Sequence, residues 1–384
     1  MTKWMLILSV FIAPILANAA DPISYSIHQQ YVSPRAQGMG NAFVGVADDY
    51  NSLFYNPAGL ANLTESQLNL KIQVAGSGNI LDLGSQLGDA KNAPNKEQAY
   101  ADVLNRNYGN HYFFRFPNIG GTWARPGWAL AVIPADLSME LAIHQQVGAT
   151  LAVEGYQDTT IAYGRGWKFA EDQPAVLTVG ATVKGVYRGY VLKSVTAPEL
   201  VYNDKYFTPE DAKEGMTVDA DVGAMYSWKD SENGGPAWTK NFRPQIGLAI
   251  RNLADYGFKY NYHVYNKQSG EPPKLYRRVD LGGMADLPGF WVFKPRVALD
   301  IRDMTHPYWT LKKGLHAGVE LLWNVRWWLQ GGYRVGYSQG YLSAGLSAQF
   351  VWFRLDFATW GEEIGTAGAA QENRRYVAQM SLSF

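Results

Sequence analysis

Apolar and polar side chains alternate with a period of two through most of the chain, and this alternation constrains the fold more than any other feature. In the last nine residues, Tyr376, Met380 and Phe384 share one parity, whereas Gln379 and Ser381 share the other. Successive side chains of a β-strand point to opposite faces, so such a segment has one apolar and one polar face. The chain is therefore predicted to be all-β. Comparable alternation covers residues 216–224, 342–350 and 353–357.

The strand pattern alone is compatible with two architectures. In a soluble sandwich the apolar faces form a core, whereas in an outer-membrane barrel they contact lipid and the polar faces line the lumen. The predicted strands are about ten residues long or longer, which suits tilted membrane strands better than soluble strands of about five or six residues. Short connections also alternate with long ones, as membrane barrels show. We therefore predict a transmembrane antiparallel β-barrel of about fourteen strands over residues 66–384. Tight turns are predicted at 125–127, 287–289, 324–325 and 350–351, and long connections at 77–110, 191–214, 258–272, 303–312 and 361–373, whereas 229–240 and 336–340 break the rule.

Aromatic residues are abundant and cluster where the predicted strands end. The chain contains 24 Tyr and 13 Trp, residues that favour membrane–water interfaces because one end is apolar and the other is polar. An aromatic girdle at the barrel rims is therefore predicted, with ordinary core and surface aromatics as the alternative. The girdle tryptophans are Trp123, Trp128, Trp167, Trp228, Trp238, Trp291, Trp323, Trp327, Trp328, Trp352 and Trp360.

Residues 1–19 have the pattern of a secretory signal peptide. Lys3 is followed by the apolar run of residues 4–16 and by Ala17-Asn18-Ala19, a small-x-small cleavage site. The run is too short for a spanning helix, and no later window is apolar enough for one. We therefore expect cleavage after Ala19 and a location in the Gram-negative outer membrane. The chain has no cysteine and a formal net charge of zero, which excludes thiolate-bound zinc and argues against a nucleic-acid partner.

A stretch rich in small residues lies between the signal peptide and the first predicted strand. Gly38 and Gly40 allow turns in which a β-carbon would clash, and Asp48 or Asp49 can cap a short helix. Pro57 then ends that helix, because the residue before a proline avoids the helical region. We predict that residues 20–65 form a compact, irregular plug.

Three short motifs in this stretch occur in order: Gly38-Met39-Gly40-Asn41-Ala42-Phe43, Ala47-Asp48-Asp49 and Asn56-Pro57-Ala58-Gly59-Leu60. Together with the preceding signal peptide, they resemble the N-terminal hatch of the FadL/OmpP1-type outer-membrane transport superfamily, including its PorV-like branch. The resemblance implies a barrel of about fourteen strands that is plugged by the hatch and binds or moves hydrophobic molecules. It also implies that Gly38, Met39 and Gly40, with Asn56, Pro57 and Ala58, shape the plug.

Four apolar side chains of the plug, Met39, Phe43, Leu53 and Phe54, allow two interpretations. In the first, they line an apolar pocket for a ligand. In the second, they pack the plug against the barrel wall, as large apolar side chains of an irregular segment usually do.

Two prolines interrupt strands that should otherwise pair. Pro117 lies inside the second predicted strand and Pro134 inside the third. Proline lacks the N–H that a strand ladder needs, so two adjacent interrupted strands can leave a gap in the wall. The resemblance implies a lateral opening toward lipid at a kink in the third strand, which places Pro134, with Pro117, at a lateral gate. A simple bulge or a strand end is the alternative.

Few residues have the spacing that catalysis or metal binding requires. The six histidines are scattered, and neither a zinc-binding nor a serine-hydrolase motif is present. His316 and Glu320 share the lumen-facing parity of one strand, where a solvated pair is expected. Lumen-facing charges of both signs are expected to form interleaved pairs. We predict no enzyme, no cofactor and no metal site.

Two functions remain open. The first is passive uptake of hydrophobic small molecules, long-chain fatty acids or aromatic compounds, with the plug holding the ligand and the lateral gate releasing it. The alternative is a PorV-like scaffold or shuttle barrel in a secretion or conjugation system, with a secretion-system protein as partner. In both cases the barrel contacts outer-membrane lipid. A general porin is disfavoured by the plug.

Overall fold

Fourteen antiparallel strands close into a single barrel, in which each strand pairs with its neighbours along the chain and β1 pairs with β14. This confirms the predicted fold class and strand number. The computed structural model describes residues 23–145, 149–202, 208–240, 242–264, 270–366 and 368–384. The predicted signal peptide, residues 1–19, and the first three residues of the predicted plug lie outside the described residues. The strands are β1 Gln67–Ser77, β2 His111–Arg125, β3 Trp128–Gln145, β4 Ala149–Phe169, β5 Ala175–Thr196, β6 Lys213–Trp228, β7 Arg243–Arg251, β8 Arg278–Asp286, β9 Phe293–Ile301, β10 Leu315–Arg326, β11 Leu329–Ser338, β12 Tyr341–Phe350, β13 Phe353–Glu363 and β14 Glu372–Ser383.

The apolar faces of the strands point outward and the polar faces point into the lumen. On β12, Leu342 and Leu346 are exposed, whereas Ser343 and Ser347 are buried. Neighbouring strands carry the same arrangement in register, since Leu346 lies opposite Phe357 of β13. An apolar outer surface that continues around a closed barrel is solvated by a bilayer rather than by water. The barrel, and not the sandwich, is the correct interpretation of the alternation.

The two ends of the barrel differ. One end, called the short-turn end, carries the turns at residues 126–127, 327–328 and 351–352. The chain also enters and leaves the barrel there, because Leu68 and Phe384 exchange two backbone hydrogen bonds of 2.9 and 3.0 Å. The opposite, long-loop end carries the longer connections, as predicted for most of them.

Three helices lie in these longer connections: α3 Ile80–Lys91, α4 Lys96–Arg106 and α5 Ala197–Tyr202. Their apolar side chains pack together with outward-facing residues of the long strands, such as Ile143 and Leu151. Among the described residues, no helix combines the length and apolar character needed to cross a bilayer.

Most of the predicted girdle tryptophans lie near one rim. Trp123 and Trp128 flank the turn between β2 and β3, and their rings meet edge to face at 5.0 Å. Trp360 is an exception, because it shares the lumen-facing parity of β13. It is buried and donates a 3.0 Å hydrogen bond to Glu362. The girdle prediction is therefore wrong for Trp360.

Residues 23–66, called the N-terminal segment, run inside the barrel before β1 begins. Between Val32 and Ala61, every residue except Asp48 is buried. The segment contains α1 Pro34–Gly38, α2 Ser52–Tyr55 and a 3₁₀ helix, Pro57–Asn62. Its turns are held by side-chain caps, since Ser33 accepts from the N–H of Ala36 and Asn56 accepts from the N–H of Ala58. The remaining helix, α6, spans Leu311–Gly314, and further 3₁₀ helices span Pro209–Asp211, Ser231–Asn233 and Ala237–Thr239.

Candidate functional site

Glycines on the inner wall let the backbone of the N-terminal segment touch the strands. A β-carbon added at Gly180 would lie 2.3 Å from the carbonyl oxygen of Pro57, and one at Gly336 would lie 2.2 Å from the amide nitrogen of Gly40. Both distances are shorter than any side chain allows. The segment can therefore contact the wall at Gly180 and Gly336 only because these residues are glycines. Eight strands contribute to this glycine girdle, which comprises Gly166, Gly180, Gly223, Gly247, Gly282, Gly318, Gly336 and Gly345.

The residues expected to shape the plug lie against this girdle. Gly40 has a φ of 65°, and a β-carbon there would lie 2.4 Å from the carbonyl oxygen of Ala317. Asn56 donates a 3.0 Å hydrogen bond to the carbonyl of Val44, which links two turns of the segment. Both residues lie at the contact between the N-terminal segment and the wall, and their role in shaping the plug stays a prediction. Gly38 approaches Gly345 of β12, Met39 approaches Gly318 of β10, and Pro57 and Ala58 approach Gly180 of β5.

The four apolar side chains of the predicted plug pocket are packed. Met39, Phe43, Leu53 and Phe54 all belong to one buried cluster. Phe54 stacks on Tyr31 at 4.1 Å. A ligand would therefore reach these side chains only after the N-terminal segment moved. Their role as ligand contacts stays a prediction.

Buried ion pairs join the N-terminal segment to the wall. The Arg35 guanidinium donates to Glu320 of β10 at 2.8 and 2.6 Å, and also reaches Asp48 at 2.7 Å. Glu320 accepts a further bond of 2.7 Å from Arg334 of β11, and Arg296 of β9 contacts Asp48 at 2.6 Å. The prediction of interleaved lumen charges is confirmed here. These ion pairs fix the position of the segment against the wall. Because the charges are buried, removal of one partner can leave the other without a counter-charge.

One expectation about polar residues in this region needs correction. His316 and Glu320 are both buried rather than solvated, and His316 Nδ1 lies 2.7 Å from the carbonyl oxygen of Gly40. The prediction that both side chains point into the lumen was correct. The N-terminal segment, which is distant in sequence, covers both residues and removes them from water. Asp49 does accept the N–H of Asn51 before α2, at 2.8 Å, whereas Asp48 binds arginines instead of capping.

Both prolines of the predicted lateral gate lie at irregular positions in the wall. The β2–β3 register shifts between Arg115 and Asn118, around Pro117, and the β3–β4 register shifts around Pro134. Pairing continues on either side of each shift. On the lumen side, Arg115 forms a buried ion pair with Asp136. The wall therefore carries a bulge at these prolines, and an opening there stays a prediction.

A cavity of about 450 Å³ lies at the long-loop end of the lumen, next to the start of the N-terminal segment. Its lining is rich in aromatic rings, and its volume falls in the range of small-molecule sites. His28 of the segment stacks on Tyr156 of β4 at 4.0 Å, and Tyr156 lies 5.0 Å from Tyr190 of β5. The other aromatic lining residues are Tyr276, His306 and Tyr308, from the connections after β7 and β9.

One side of this long-loop cavity is formed by a connection rather than a strand. Arg188 of β5 ties this connection, residues 252–277, to the wall. Its guanidinium lies between the rings of Tyr156 and Phe258, at 5.0 and 4.9 Å. It also binds Asp158 at 2.8 and 2.6 Å and donates to the carbonyl of Pro273 at 3.0 Å. These contacts attach the connection to the wall beside the cavity.

His306 lines the cavity from the connection after β9. Burial, together with the nearby positive charge of Arg278, lowers the pKa of His306 to about 3. The imidazole is therefore neutral under physiological conditions. It meets the rings of Tyr276 and Tyr308 at 5.1 and 5.5 Å and contributes an aromatic surface rather than a charge.

A second cavity, of about 380 Å³, opens at the short-turn end. It is lined mostly by polar and charged side chains, among them Asp48, Lys294 and Arg354. The packed part of the N-terminal segment separates it from the long-loop cavity. The lumen is therefore divided into two compartments rather than forming one continuous aqueous path.

The fold and the lumen together define a class: a closed membrane-type β-barrel, apolar outside, whose interior is occupied by its own N-terminal segment. No family model matches the chain, and no curated protein matches it. Among solved structures, it is similar to the toluene transporter TbuX of Ralstonia pickettii, with 10% identity, a TM-score of 0.42 and coverage of 92% of this chain and 98% of that one. The toluene transporter TodX of Pseudomonas putida has 11% identity, a TM-score of 0.42 and coverage of 91% and 96%. CdiB from Acinetobacter baumannii has 9% identity, a TM-score of 0.34 and coverage of 84% of this chain and 60% of that one.

Proposed function

We propose that the protein is an outer-membrane channel of the FadL type that takes up hydrophobic small molecules passively. The observation that carries the proposal is the aromatic-lined cavity of about 450 Å³ at the long-loop end, which the packed N-terminal segment separates from the polar cavity at the short-turn end. In outer-membrane barrels the longer loops face the exterior. The cavity would then meet molecules arriving from outside the cell. The hatch-like motifs at residues 38–43, 47–49 and 56–60 support the same assignment.

The filled lumen argues against a general porin. An ion-selective pore presents charge of one sign at an open constriction. Here the lumen contains positive arginines and negative carboxylates that pair between the segment and the wall, as Arg35 and Glu320 do. The N-terminal segment would act as a plug that prevents a molecule in the cavity from passing directly to the short-turn end. Permeation then requires either movement of the plug or an exit through the wall.

An exit through the wall is the route we favour. The long-loop cavity and a small cavity of about 20 Å³ are both bordered by His28 and Glu140. The small cavity also reaches Arg115, which lies at the edge of the β2–β3 bulge. A path from the long-loop cavity past Glu140 to the bulge at Pro117 and Pro134 would release a hydrophobic molecule sideways into lipid.

An uptake assay tests the proposal. The barrel is expressed in a Gram-negative host that lacks its own channel for hydrophobic compounds, and uptake of labelled ethylbenzene and of a long-chain fatty acid is measured. Leu192 lines the cavity on β5 and is partly exposed to it. Leu192→Trp should fill the cavity and reduce uptake to the level of the empty host, whereas the size-matched Leu192→Ile should not.

The same assay separates the channel from the scaffold. Equal uptake by cells that contain the barrel and by cells that lack it would contradict the channel. Loss of protein secretion without loss of uptake, in a deletion strain of the native host, would favour the secretion scaffold instead.

A further inference from the structure

We infer that the long-loop cavity selects aromatic molecules that carry a protonated amine over the matching carboxylates, with Glu154 as the counter-ion. The inference rests on the proposed function and names the substrate class of the same cavity. It decides between the two ligand classes considered above, because it favours aromatic compounds over fatty acids.

Glu154 of β4 lines the cavity, and both of its hydrogen bonds are made by one carboxylate oxygen. Oε1 accepts from the hydroxyl of Tyr156 at 2.7 Å and from the hydroxyl of Tyr190 at 2.9 Å. Oε2 has no hydrogen-bond partner among the described residues, and no described cation lies within salt-bridge distance of the carboxylate. The two hydroxyls fix the carboxylate in place but do not neutralise it.

The other carboxylates of the lining already have cations. Glu140 binds Arg375 at 3.1 Å and accepts from Ser24 and Ser26. Glu271, at the mouth, binds Lys259 at 3.1 Å. Glu154 is therefore the lining carboxylate whose charge is left for a ligand. Most lining cations are likewise occupied: Arg188 by Asp158 at 2.6 Å, Lys274 by Asp255 at 2.9 Å and Arg278 by Asp303 at 3.3 Å.

Aromatic rings surround this carboxylate and suit a cation with an aromatic body. Ring faces carry partial negative charge and attract cations, and ring edges pack against other rings. The cavity already shows this preference within the protein, since the Arg188 guanidinium lies over Tyr156 at 5.0 Å. An anionic ligand would instead bring a second negative charge next to Glu154, in a site partly removed from water.

Lys213 is the one competing feature. It lines the cavity from β6, and no partner for it is found among the described residues. Its side chain is exposed, so water and salt screen its charge, and exposed ion pairs contribute little to binding. Glu154 lies deeper, among the rings, and its charge should therefore dominate the choice of ligand.

Binding of four ligands that share one ring and one chain length tests the inference. The purified full barrel in detergent is titrated calorimetrically with 2-phenylethylamine, 2-phenylethanol, ethylbenzene and phenylacetate at neutral pH. The amine is protonated there, because alkylamines have pKa values near 10. We expect the amine to bind about tenfold more tightly than the alcohol, and the carboxylate to bind most weakly.

Two variants locate the effect. Glu154→Gln keeps the size of the side chain and should reduce the amine's affinity to that of the alcohol, while leaving ethylbenzene binding unchanged. Lys213→Ala is the matched control and should leave the order of the four affinities unchanged.

The inference would be overturned if phenylacetate bound as tightly as the amine, or if the amine preference survived in Glu154→Gln. Because wild-type ligand order is measured separately, a poorly folding variant does not hide the answer. If ethylbenzene binds without an amine preference, the inference fails alone; if none of the four binds and the barrel also takes up neither ethylbenzene nor the fatty acid, the proposed function fails with it.

Discussion

Arg35 of the N-terminal segment and Glu320 of β10 are joined by two hydrogen bonds of 2.8 and 2.6 Å, and both side chains are buried. Glu320 also binds Arg334, so its removal leaves the buried Arg334 without a carboxylate partner among the described residues, whereas Arg35 keeps Asp48 and Asp49. Removing one partner of a buried ion pair costs more than the pair itself contributes, because the remaining charge cannot be hydrated.

Glu320→Gln should therefore lower the free energy of unfolding by about 3–5 kcal/mol. The measurement is urea unfolding of the barrel in lipid vesicles, followed by tryptophan fluorescence. Glu65→Gln, at an exposed position near the short-turn end, is the control and should change the value by less than about 0.5 kcal/mol. A Glu320→Gln barrel as stable as this control would show that the buried network does not hold the segment.

The glycine girdle makes a second prediction. In Gly180→Val the new side chain would collide with the backbone of Pro57, so the N-terminal segment cannot seat on β5. Ion conductance in planar bilayers should rise, because the two compartments of the lumen become continuous. Gly84→Ala is the control, since a β-carbon at Gly84 of α3 meets nothing within 4 Å. Conductance as low in Gly180→Val as in the control would mean that the segment tolerates the displacement.

The barrel could be predicted from the sequence because the alternation of side chains is a local property. Leu346 and Ser347 are neighbours in sequence and therefore face opposite sides of β12 in any sheet. The sequence thus shows that one face of the strand is apolar and the other polar. Burial in the lumen is not local. His316 is removed from water by the carbonyl of Gly40, which lies far away in sequence, so parity placed it correctly while its solvation was predicted wrongly.

The long-loop cavity was not predicted, although part of its signal is present in the sequence. Tyr156 and Tyr190 share the lumen-facing parity of Asp158 and Arg188 on two long strands. His28 comes from the N-terminal segment, and other rings come from connections with no regular pattern. Only closure of the barrel brings these rings together.

The contact between the N-terminal segment and the wall also has a signal in the sequence. Glycines within strands mark places where another backbone approaches closely.

The bulge at Pro134 carries the prediction about lateral release. Pro134→Val supplies the missing N–H and should let β3 pair evenly with its neighbours, which closes the proposed exit. We expect uptake of ethylbenzene to fall toward that of the empty host while the yield of folded barrel stays the same. Pro244→Val is the control, because Pro244 pairs with Ala285 without a register shift. Unchanged uptake in Pro134→Val would exclude this position as the gate.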